Sequence, residues 1–134
     1  MITNQECNEI ADFVVENSEG LYSVNDHAHI ASYAYLHAVY GTLMVVRYLG
    51  EIIGVCRWNW TGSHDAKVLD LIIRPDFRNK QVSRDMLLKA KMALPGLERI
   101  SFQRKKYAMR QSGFPVSRWL KEKCYEREIV TNNY

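Results

Sequence analysis

The chain opens with two segments in which hydrophobic residues recur every three or four positions, the spacing of an amphipathic helix. The first segment follows a capping signal at Thr3 or Asn4 and should end between residues 18 and 20. The second begins near residues 25–26 and should stop at Gly41. The repeating residues of the second segment are Ile30, Tyr33, Ala34 and His37. The pattern therefore predicts two consecutive helices.

The period then changes to that of β-strands. Residues 44–48 and 52–60 flank the sequence Leu49-Gly50-Glu51, which predicts a hairpin. Residues 68–73 are a run of Val, Leu and Ile broken only by Asp70. Such a run is typical of a strand that is buried on both faces.

A third helical pattern covers residues 78–94 and is closed by a Pro-Gly pair. Its inner stripe consists of Val82, Met86, Leu87, Ala90 and Leu94. A strand at residues 99–104 follows, so the strand at 68–73 should cross over to it in parallel through this helix. The order of elements is that of an α/β or α+β protein.

Composition agrees with one folded domain over residues 1–134, since 47% of the residues are hydrophobic, 25% are charged, and no repeat or linker interrupts them. Only short helices near residues 108–112 and 117–123 are predicted in the C-terminal part. The lack of a membrane-spanning run and of a basic leader predicts a cytoplasmic protein. Three widely spaced cysteines without a CxxC motif predict free thiols, and no metal site is predicted.

Charge is distributed unevenly along the chain. Residues 1–65 hold two basic and eight acidic side chains, whereas residues 66–134 hold sixteen basic and seven acidic ones. An anion should therefore bind to the C-terminal half. That anion could be a phosphorylated cofactor or a nucleic acid, or the basic face could be solvated without a ligand.

The most informative segment joins the buried strand to the basic helix. Pro75 follows the strand, and then comes the hexad Arg78-Asn79-Lys80-Gln81-Val82-Ser83. Free backbone N–H groups in the first turn of a helix, next to cations, form an anion site. The segment resembles the GNAT N-acyltransferases, which carry a strand, a Pro, and then Arg/Gln-x-x-Gly-x-Gly/Ala at the start of a helix.

The resemblance extends over residues 42–114 and implies a mixed, mostly antiparallel sheet flanked by helices. It also implies that the chain binds acetyl-CoA or another acyl-CoA, with its pyrophosphate on residues 78–83. The backbone groups that would hold the pantetheine are those of Leu71, Ile72, Ile73 and Arg74. Gln81 and Ser83 occupy positions at which the family has glycines. The Gln81 side chain would either fill the place of a phosphate oxygen or donate a hydrogen bond to one.

Two residues are candidates for proton transfer. Asp70 is a lone carboxylate in an apolar strand, so it should act as a general base, orient a histidine, or pair with a nearby arginine. Tyr107 precedes residues 108–114, which resemble the family's helix ending in Gly-Phe. In the family a tyrosine of this helix often protonates the departing thiolate, but Met109 holds that position here. Tyr107 is thus the acid if the backbone is irregular, and otherwise a partly exposed structural tyrosine.

The chain has a weaker similarity to the toxin-activating acyltransferases. Those enzymes pair a strand aspartate with a histidine near the start of an early helix, which would make His27 or His29 the partner of Asp70.

Cys56, Trp58 and Trp60 alternate along one predicted strand and therefore share a face. The two tryptophans should belong to the core or line a substrate pocket. Cys56 should be a buried thiol rather than a nucleophile.

The sequence therefore predicts an acyl-CoA-dependent N-acyltransferase, with acetyl transfer as the first choice, acting on a small-molecule or protein amine by direct attack. The alternative is a catalytically silent GNAT-like module that binds nucleic acid or a protein through its basic half. Because the chain is short for the family, its C-terminal strands should be missing or supplied by a second copy, so a homodimer is also predicted. No membrane partner is expected.

Overall fold

The computed structural model describes residues 1–78, 82–103, 114–115 and 129–133. These residues form three helices and six strands, with single 3₁₀ turns before α2 and after β3. The bounds are α1 Asn4–Asn17, α2 His27–Val39, β1 Leu43–Tyr48, β2 Glu51–Trp60, β3 Asp65–Ile73, α3 Val82–Ala93, β4 Arg99–Phe102, β5 Phe114–Pro115 and β6 Ile129–Asn133. The predicted short helices at 108–112 and 117–123 lie outside the described residues.

The first helix begins where the capping signal predicted. Thr3 Oγ1 accepts a hydrogen bond from the Glu6 N–H at 3.1 Å, and Glu6 Oε1 accepts one from the Thr3 N–H at 3.2 Å. This reciprocal pair satisfies two N–H groups that a helix start otherwise leaves free. The buried face of the helix consists of Cys7, Ile10, Ala11, Phe13 and Val14.

The six strands form one sheet in the order β5-β4-β3-β2-β1-β6. Of the described pairs, β3 with β4 is parallel and the others are antiparallel, with α3 as the crossover. Leu49 and Gly50 join β1 to β2 with φ angles of 51° and 82°, as a two-residue hairpin turn requires. The predicted mixed α/β fold is confirmed.

The sheet lies between two helical layers. Helices α1 and α2 cover one face, where Ile10, Val14, Val45 and Val55 belong to one buried cluster. Helix α3 covers the other face, where a second cluster contains the core residues Ile53, Trp58, Val82, Met86 and Phe102. None of the helices in the described part of the chain has both the length and the apolar character to cross a membrane.

Two elements begin several residues away from their predicted starts, and one expectation about the C-terminal strands is wrong. Strand β3 begins at Asp65 rather than Val68. The predicted helix does not begin at Arg78, because Pro75 starts a 3₁₀ turn that the Arg78 N–H closes on Pro75 O, leaving Arg78 extended. Strands β5 and β6 both belong to this chain, so the prediction that such strands are missing or come from a second copy is wrong for these two.

Candidate active site

Strands β3 and β4 pair along only part of their length. Their parallel register runs from Asp65 opposite Arg99 to Val68 opposite Phe102, and the Gln103 N–H donates to Val68 O at 3.0 Å. Within the described residues, no pair joins β4 to the second half of β3. Among the described residues, the second half of β3 thus has no neighbour on the edge that faces away from β2, and we call this stretch the open edge of β3.

A β-bulge lies where the open edge of β3 begins. Arg57 of β2 lies opposite Asp70 and Trp58 lies opposite Val68, so Leu69 is the extra residue of β3. A bulge bends the strand that carries it and increases the local twist.

The open edge of β3 carries backbone donors. The Arg74 N–H donates to Ile53 O of β2 at 2.8 Å. Neighbouring residues of a strand direct their backbone groups to opposite edges, so the N–H groups of Ile73 and Leu71 lie on the edge that faces away from β2. The Ile72 backbone faces β2, as that of Arg74 does. Of the four residues expected to hold pantetheine, Leu71 and Ile73 thus direct their N–H groups to the open edge.

Arg78 anchors the turn that follows β3. Its Nε donates to Ile73 O at 3.0 Å, and its Nη2 donates to Asn17 O at the end of α1 at 3.2 Å. It also pairs with Glu19. The Arg78 side chain thus links the end of β3 to the end of α1.

The remaining residues of the predicted pyrophosphate loop reach α3. Val82 is buried in the core and Ser83 is half-buried in the first turn of the helix. Asn79, Lys80 and Gln81 lie outside the described residues, as does the candidate acid Tyr107. The α3 N-terminus follows the open edge directly in sequence, separated from β3 by one 3₁₀ turn and this loop.

Asp70 lies on the face of the sheet that α1 and α2 cover, with only 8% of its side chain exposed. Arg57 donates to its Oδ2 from Nε at 2.8 Å and approaches it with Nη2 at 2.6 Å. The Tyr22 hydroxyl donates to Oδ1 at 2.8 Å. The expected pairing of Asp70 with an arginine is confirmed, and the partner is Arg57, its neighbour on β2.

His37 of α2 extends this network. Its Nε2 lies 3.5 Å from Arg57 Nη1, and its Nδ1 lies 2.7 Å from Thr42 Oγ1. Because a guanidinium only donates hydrogen bonds, we assign Nε2 as the acceptor that faces Arg57 and place the proton of the neutral imidazole on Nδ1, which then donates to Thr42 Oγ1. Burial, and secondarily the Arg57 charge, lower the pKa of His37. The imidazole is therefore neutral at pH 7.

Acidification should destabilise the fold through His37. The lowered pKa means that the unfolded chain binds this proton first, so stability is complete above about pH 6.5 and falls as pH drops toward the folded-state pKa. We expect the unfolding free energy of the wild type to fall more between pH 7.5 and 5.5 than that of His37→Gln. Urea titrations at several pH values measure the difference, with His64→Gln as the control. Equal pH slopes for wild type and His37→Gln would contradict this account.

The similarity to toxin-activating enzymes pointed to the wrong histidines. His27 Nε2 lies 2.7 Å from Asp12 Oδ1, and His29 stacks on Tyr33 with ring centroids 5.6 Å apart. No described contact links either histidine to Asp70. The sequence analysis did not predict that His37 and Tyr22 contact the Asp70–Arg57 pair. The position of His37 on the same helix face as Ile30 could have indicated that it points inward, whereas no sequence pattern indicated a role for Tyr22.

Cys56 lies on the α3 side of the sheet with Trp58, as the alternation predicted. Loss of hydration raises the pKa of the Cys56 thiol to about 12, so the thiol stays protonated and is a poor nucleophile. The described residues contain no group of three or more His, Cys, Asp or Glu side chains that could hold a metal ion.

Comparison with known proteins decides the family. The family model described as Acetyltransferase (GNAT) family matches residues 7–110. The chain belongs to the GNAT family. The resemblance inferred from the strand, turn and helix of residues 68–88 is therefore confirmed. Among curated protein sequences, no match to this GNAT protein was found.

Solved acetyltransferases share the fold of this GNAT protein. An acetyltransferase from Thermus thermophilus has a TM-score of 0.58 at 16% identity, over 75% of this chain and 71% of that one. Diaminobutyrate acetyltransferase EctA from Paenibacillus lautus was solved in complex with L-2,4-diaminobutyric acid and coenzyme A. It has a TM-score of 0.58 at 13% identity, over 81% of this chain and 68% of that one. PaiA N-acetyltransferase from Thermoplasma acidophilum, in complex with coenzyme A, has a TM-score of 0.56 at 13% identity, over 99% of this chain and 96% of that one.

Proposed function

We propose that this GNAT protein transfers an acyl group from an acyl-CoA to an amine by direct attack in a ternary complex. The observation that carries the proposal is the open edge of β3, followed directly in sequence by the turn into α3. That arrangement offers backbone donors to an extended chain and free helix N–H groups to the phosphates beyond it. Two of the similar solved structures, EctA and PaiA, contain coenzyme A.

The proposed donor site uses backbone groups for most of its contacts. The N–H groups of Leu71 and Ile73 would bind the amide carbonyls of pantetheine, while Ile72 and Arg74 shape the edge from the β2 side. Residues 78–83 would hold the pyrophosphate at the start of α3, where the macrodipole favours negative charge. These contacts would hold the thioester beside Leu71 and Asp70, at the middle of the sheet.

The proposed acceptor site lies on the opposite face, under α1 and α2. Helix α1 carries four acidic residues, and neither α1 nor α2 carries Lys or Arg, which favours a cationic amine. The basic half of the chain holds the residues proposed for the anionic donor. The uneven charge thus suits two substrates of opposite charge that approach from different sides of the sheet.

Asp70 is the proposed base. An amine attacks the thioester carbon only after losing its proton, which Asp70 would accept directly or through the Tyr22 hydroxyl at 2.8 Å. As the new C–N bond forms and the C–S bond breaks, the nitrogen gives up its second proton to solvent, and the departing thiolate takes a proton for which Tyr107 is the proposed donor. Arg57 and Tyr22 would fix the Asp70 carboxylate in one orientation.

Calorimetric titration with coenzyme A and acetyl-CoA tests the first step. We expect saturable binding of both in the micromolar to millimolar range, and release of free thiol from acetyl-CoA when a panel of primary amines is added. No binding at millimolar concentrations would overturn the proposal. Salt-sensitive binding to DNA or RNA in place of coenzyme A would instead indicate the silent, basic module.

A further inference from the structure

Helix α2 has an apolar outer side. Of its thirteen residues only Ile30 and Ala34 are buried, and both belong to the cluster on the sheet. The sequence from His27 to Tyr40 contains no Asp, Glu, Lys or Arg. A surface helix normally turns charged residues to the solvent, and a helix that is apolar on all sides is normally covered. The outer side of α2 thus has the character of a helix that packs against another element.

The exposed residues form a continuous ridge along α2. Ala28, Ser32 and Leu36 follow one another at intervals of four residues, and Tyr40, which caps the helix, continues the series. All four are exposed. Residues four apart lie above one another on the same side of a helix, so these four side chains form one row. We call this row the outer ridge of α2.

A groove of about 540 Å³ runs beside the outer ridge, between α1 and α2. Ser32, Tyr35 and Leu36 line it from α2, and Asn4 and Asn8 line it from α1. Every described residue of its lining is uncharged. Since a cavity of about 150 Å³ holds benzene, the groove has room for several side chains of a neighbouring helix.

The outer ridge is complementary to a second copy of itself. Its first two residues, Ala28 and Ser32, are small, and its last two, Leu36 and Tyr40, are large. In an antiparallel pair with its two-fold axis near residue 34, Ser32 faces Leu36 of the second copy, and Ala28 faces Tyr40. Each large side chain then meets a small one, as when the ridges of one helix fill the grooves of another. Every contact occurs twice, as a two-fold interface requires.

Charge favours a second copy over other occupants of this face. Helix α1, which forms the other wall of the groove, carries four acidic residues and neither Lys nor Arg. An anionic lipid surface or a nucleic acid would therefore be repelled from this side of the molecule. The outer ridge of a second copy brings no charge with it.

The exposed apolar area limits the strength of such a contact. Tyr40 and Tyr35 are 76% and 44% exposed, and Val39 and Leu36 are 59% and 47% exposed. A Tyr side chain offers about 200 Å² and a Val or Leu side chain roughly 100 Å², so these residues expose roughly 340 Å² per copy. Two copies would bury about 700 Å² of apolar surface, to which the polar residues of the groove add. Interfaces of this size are weak, which predicts a dimer that dissociates on dilution.

We propose that this GNAT protein forms a two-fold dimer in which the outer ridges of α2 pack antiparallel against each other. This inference does not depend on acyl transfer. It also differs from a dimer that exchanges C-terminal strands, because β5 and β6 pair within the chain. The other side of α2 carries Tyr33, whose ring centroid lies 4.9 Å from the Arg57 guanidinium carbon, and His37. A dimer would therefore fix the helix that covers the Asp70 network.

Sedimentation velocity between about 5 and about 500 µM tests the dimer. The wild type should shift from the 15.6 kDa of one chain toward twice that mass. Leu36→Glu should weaken association by roughly a hundredfold or more, because the two-fold axis places the lost leucine and the added charge in the interface twice. Met92→Glu makes a similar change at an exposed position of α3 and should leave association unchanged. Since Leu36 is exposed in the single chain, Leu36→Glu should keep the urea midpoint of the monomer.

A mixture of two variants tests which residues face each other. Ser32→Lys alone should weaken the dimer, as Leu36→Glu does. An equimolar mixture of the two should associate roughly tenfold more tightly than either alone, because the introduced ammonium and carboxylate groups then face each other across the axis. A mixture that is no tighter than its components would overturn the antiparallel arrangement.

Two further results would overturn the dimer itself: a wild type that stays monomeric up to about 500 µM, or a dimer that Leu36→Glu leaves intact. Binding of a monomeric wild type to phosphatidylglycerol vesicles would assign the outer ridge to a lipid surface instead. Because these measurements use no coenzyme A, their failure leaves the transferase proposal standing.

Discussion

Asp70→Ala is expected to lower the free energy of unfolding by about 3 kcal/mol or more, the range measured when one partner of a buried ion pair is removed. The side chains of Asp70 and Arg57 are only 8% and 17% exposed, so the remaining guanidinium would stay largely desolvated without its counterion. Urea or guanidinium denaturation at pH 7.5 measures the change. The exposed carboxylate of Glu51, which pairs with Arg74 at 3.0 Å, is the control, and Glu51→Ala should cost less than about 1 kcal/mol.

A double-mutant cycle separates the pair from the individual side chains. Arg57→Met should be about as destabilising as Asp70→Ala, because it leaves a buried carboxylate. In the double variant Arg57→Met/Asp70→Leu neither charge remains, and apolar residues of similar size occupy the site. Its stability should therefore lie within about 1–2 kcal/mol of the wild type. Simple addition of the two single losses would show that the ion pair is not the interaction being removed.

Asp70→Asn distinguishes the structural role from the proposed proton transfer. Asparagine keeps the size and can still accept a hydrogen bond from Tyr22, but it cannot take a proton from an amine. If Asp70 is the base, turnover should fall by about 10²–10⁴-fold while coenzyme A affinity is retained, and the pH dependence of kcat/KM should change shape. Loss of turnover only in proportion to the loss of folded protein would assign Asp70 a structural role.

Local signals in the sequence were enough to predict most elements of the fold. Thr3 and Glu6 determine a helix start by themselves, and Leu49 with Gly50 supplies the backbone angles of the hairpin. The apolar run around Asp70 predicted a buried strand and a carboxylate in need of a partner. Each of these signals depends on residues within a few positions of one another.

The partners within the site could not be predicted, because they depend on register and packing. Arg57 faces Asp70 only because Leu69 is bulged out of the β2–β3 ladder, and no local pattern specifies that bulge. Tyr22 reaches Asp70 across 48 positions of sequence. A cavity of about 70 Å³ lies between α3 and the sheet, and its volume depends on how the side chains of both elements pack together.

The pairing of β6 with β1 shows the same limit. Residues Ile129–Asn133 lie antiparallel to β1 at the opposite end of the sheet from β5, so two strands close in sequence occupy distant edges. The helix start at Val82 also moved from its predicted place, because Pro75 favours a turn of its own before the loop. Sequence periodicity predicts which residues face a core, but it does not predict which strands pair with one another.

Ser83→Asp is expected to weaken coenzyme A binding strongly while leaving the fold as stable as before or slightly more so. Ser83 lies in the first turn of α3, where a carboxylate interacts favourably with the helix dipole by about 0.3–1 kcal/mol. A bound pyrophosphate would share that position. A unit negative charge about 5 Å from another costs about 3 kcal/mol at an effective dielectric constant of 20, which corresponds to a loss of roughly a hundredfold in affinity.

The expected changes in stability and in coenzyme A affinity have opposite signs, so the experiment distinguishes a lost anion site from general damage to the protein. A substitution that damaged the protein in general would lower both thermal stability and affinity, whereas an anion site at the start of α3 predicts unchanged or raised stability together with lost binding. Ser63→Asp makes the same chemical change in the exposed turn before β3 and should leave coenzyme A affinity as in the wild type. Equal affinities for Ser83→Asp and Ser63→Asp would show that the phosphates bind elsewhere, and the proposed donor site would then have to be abandoned.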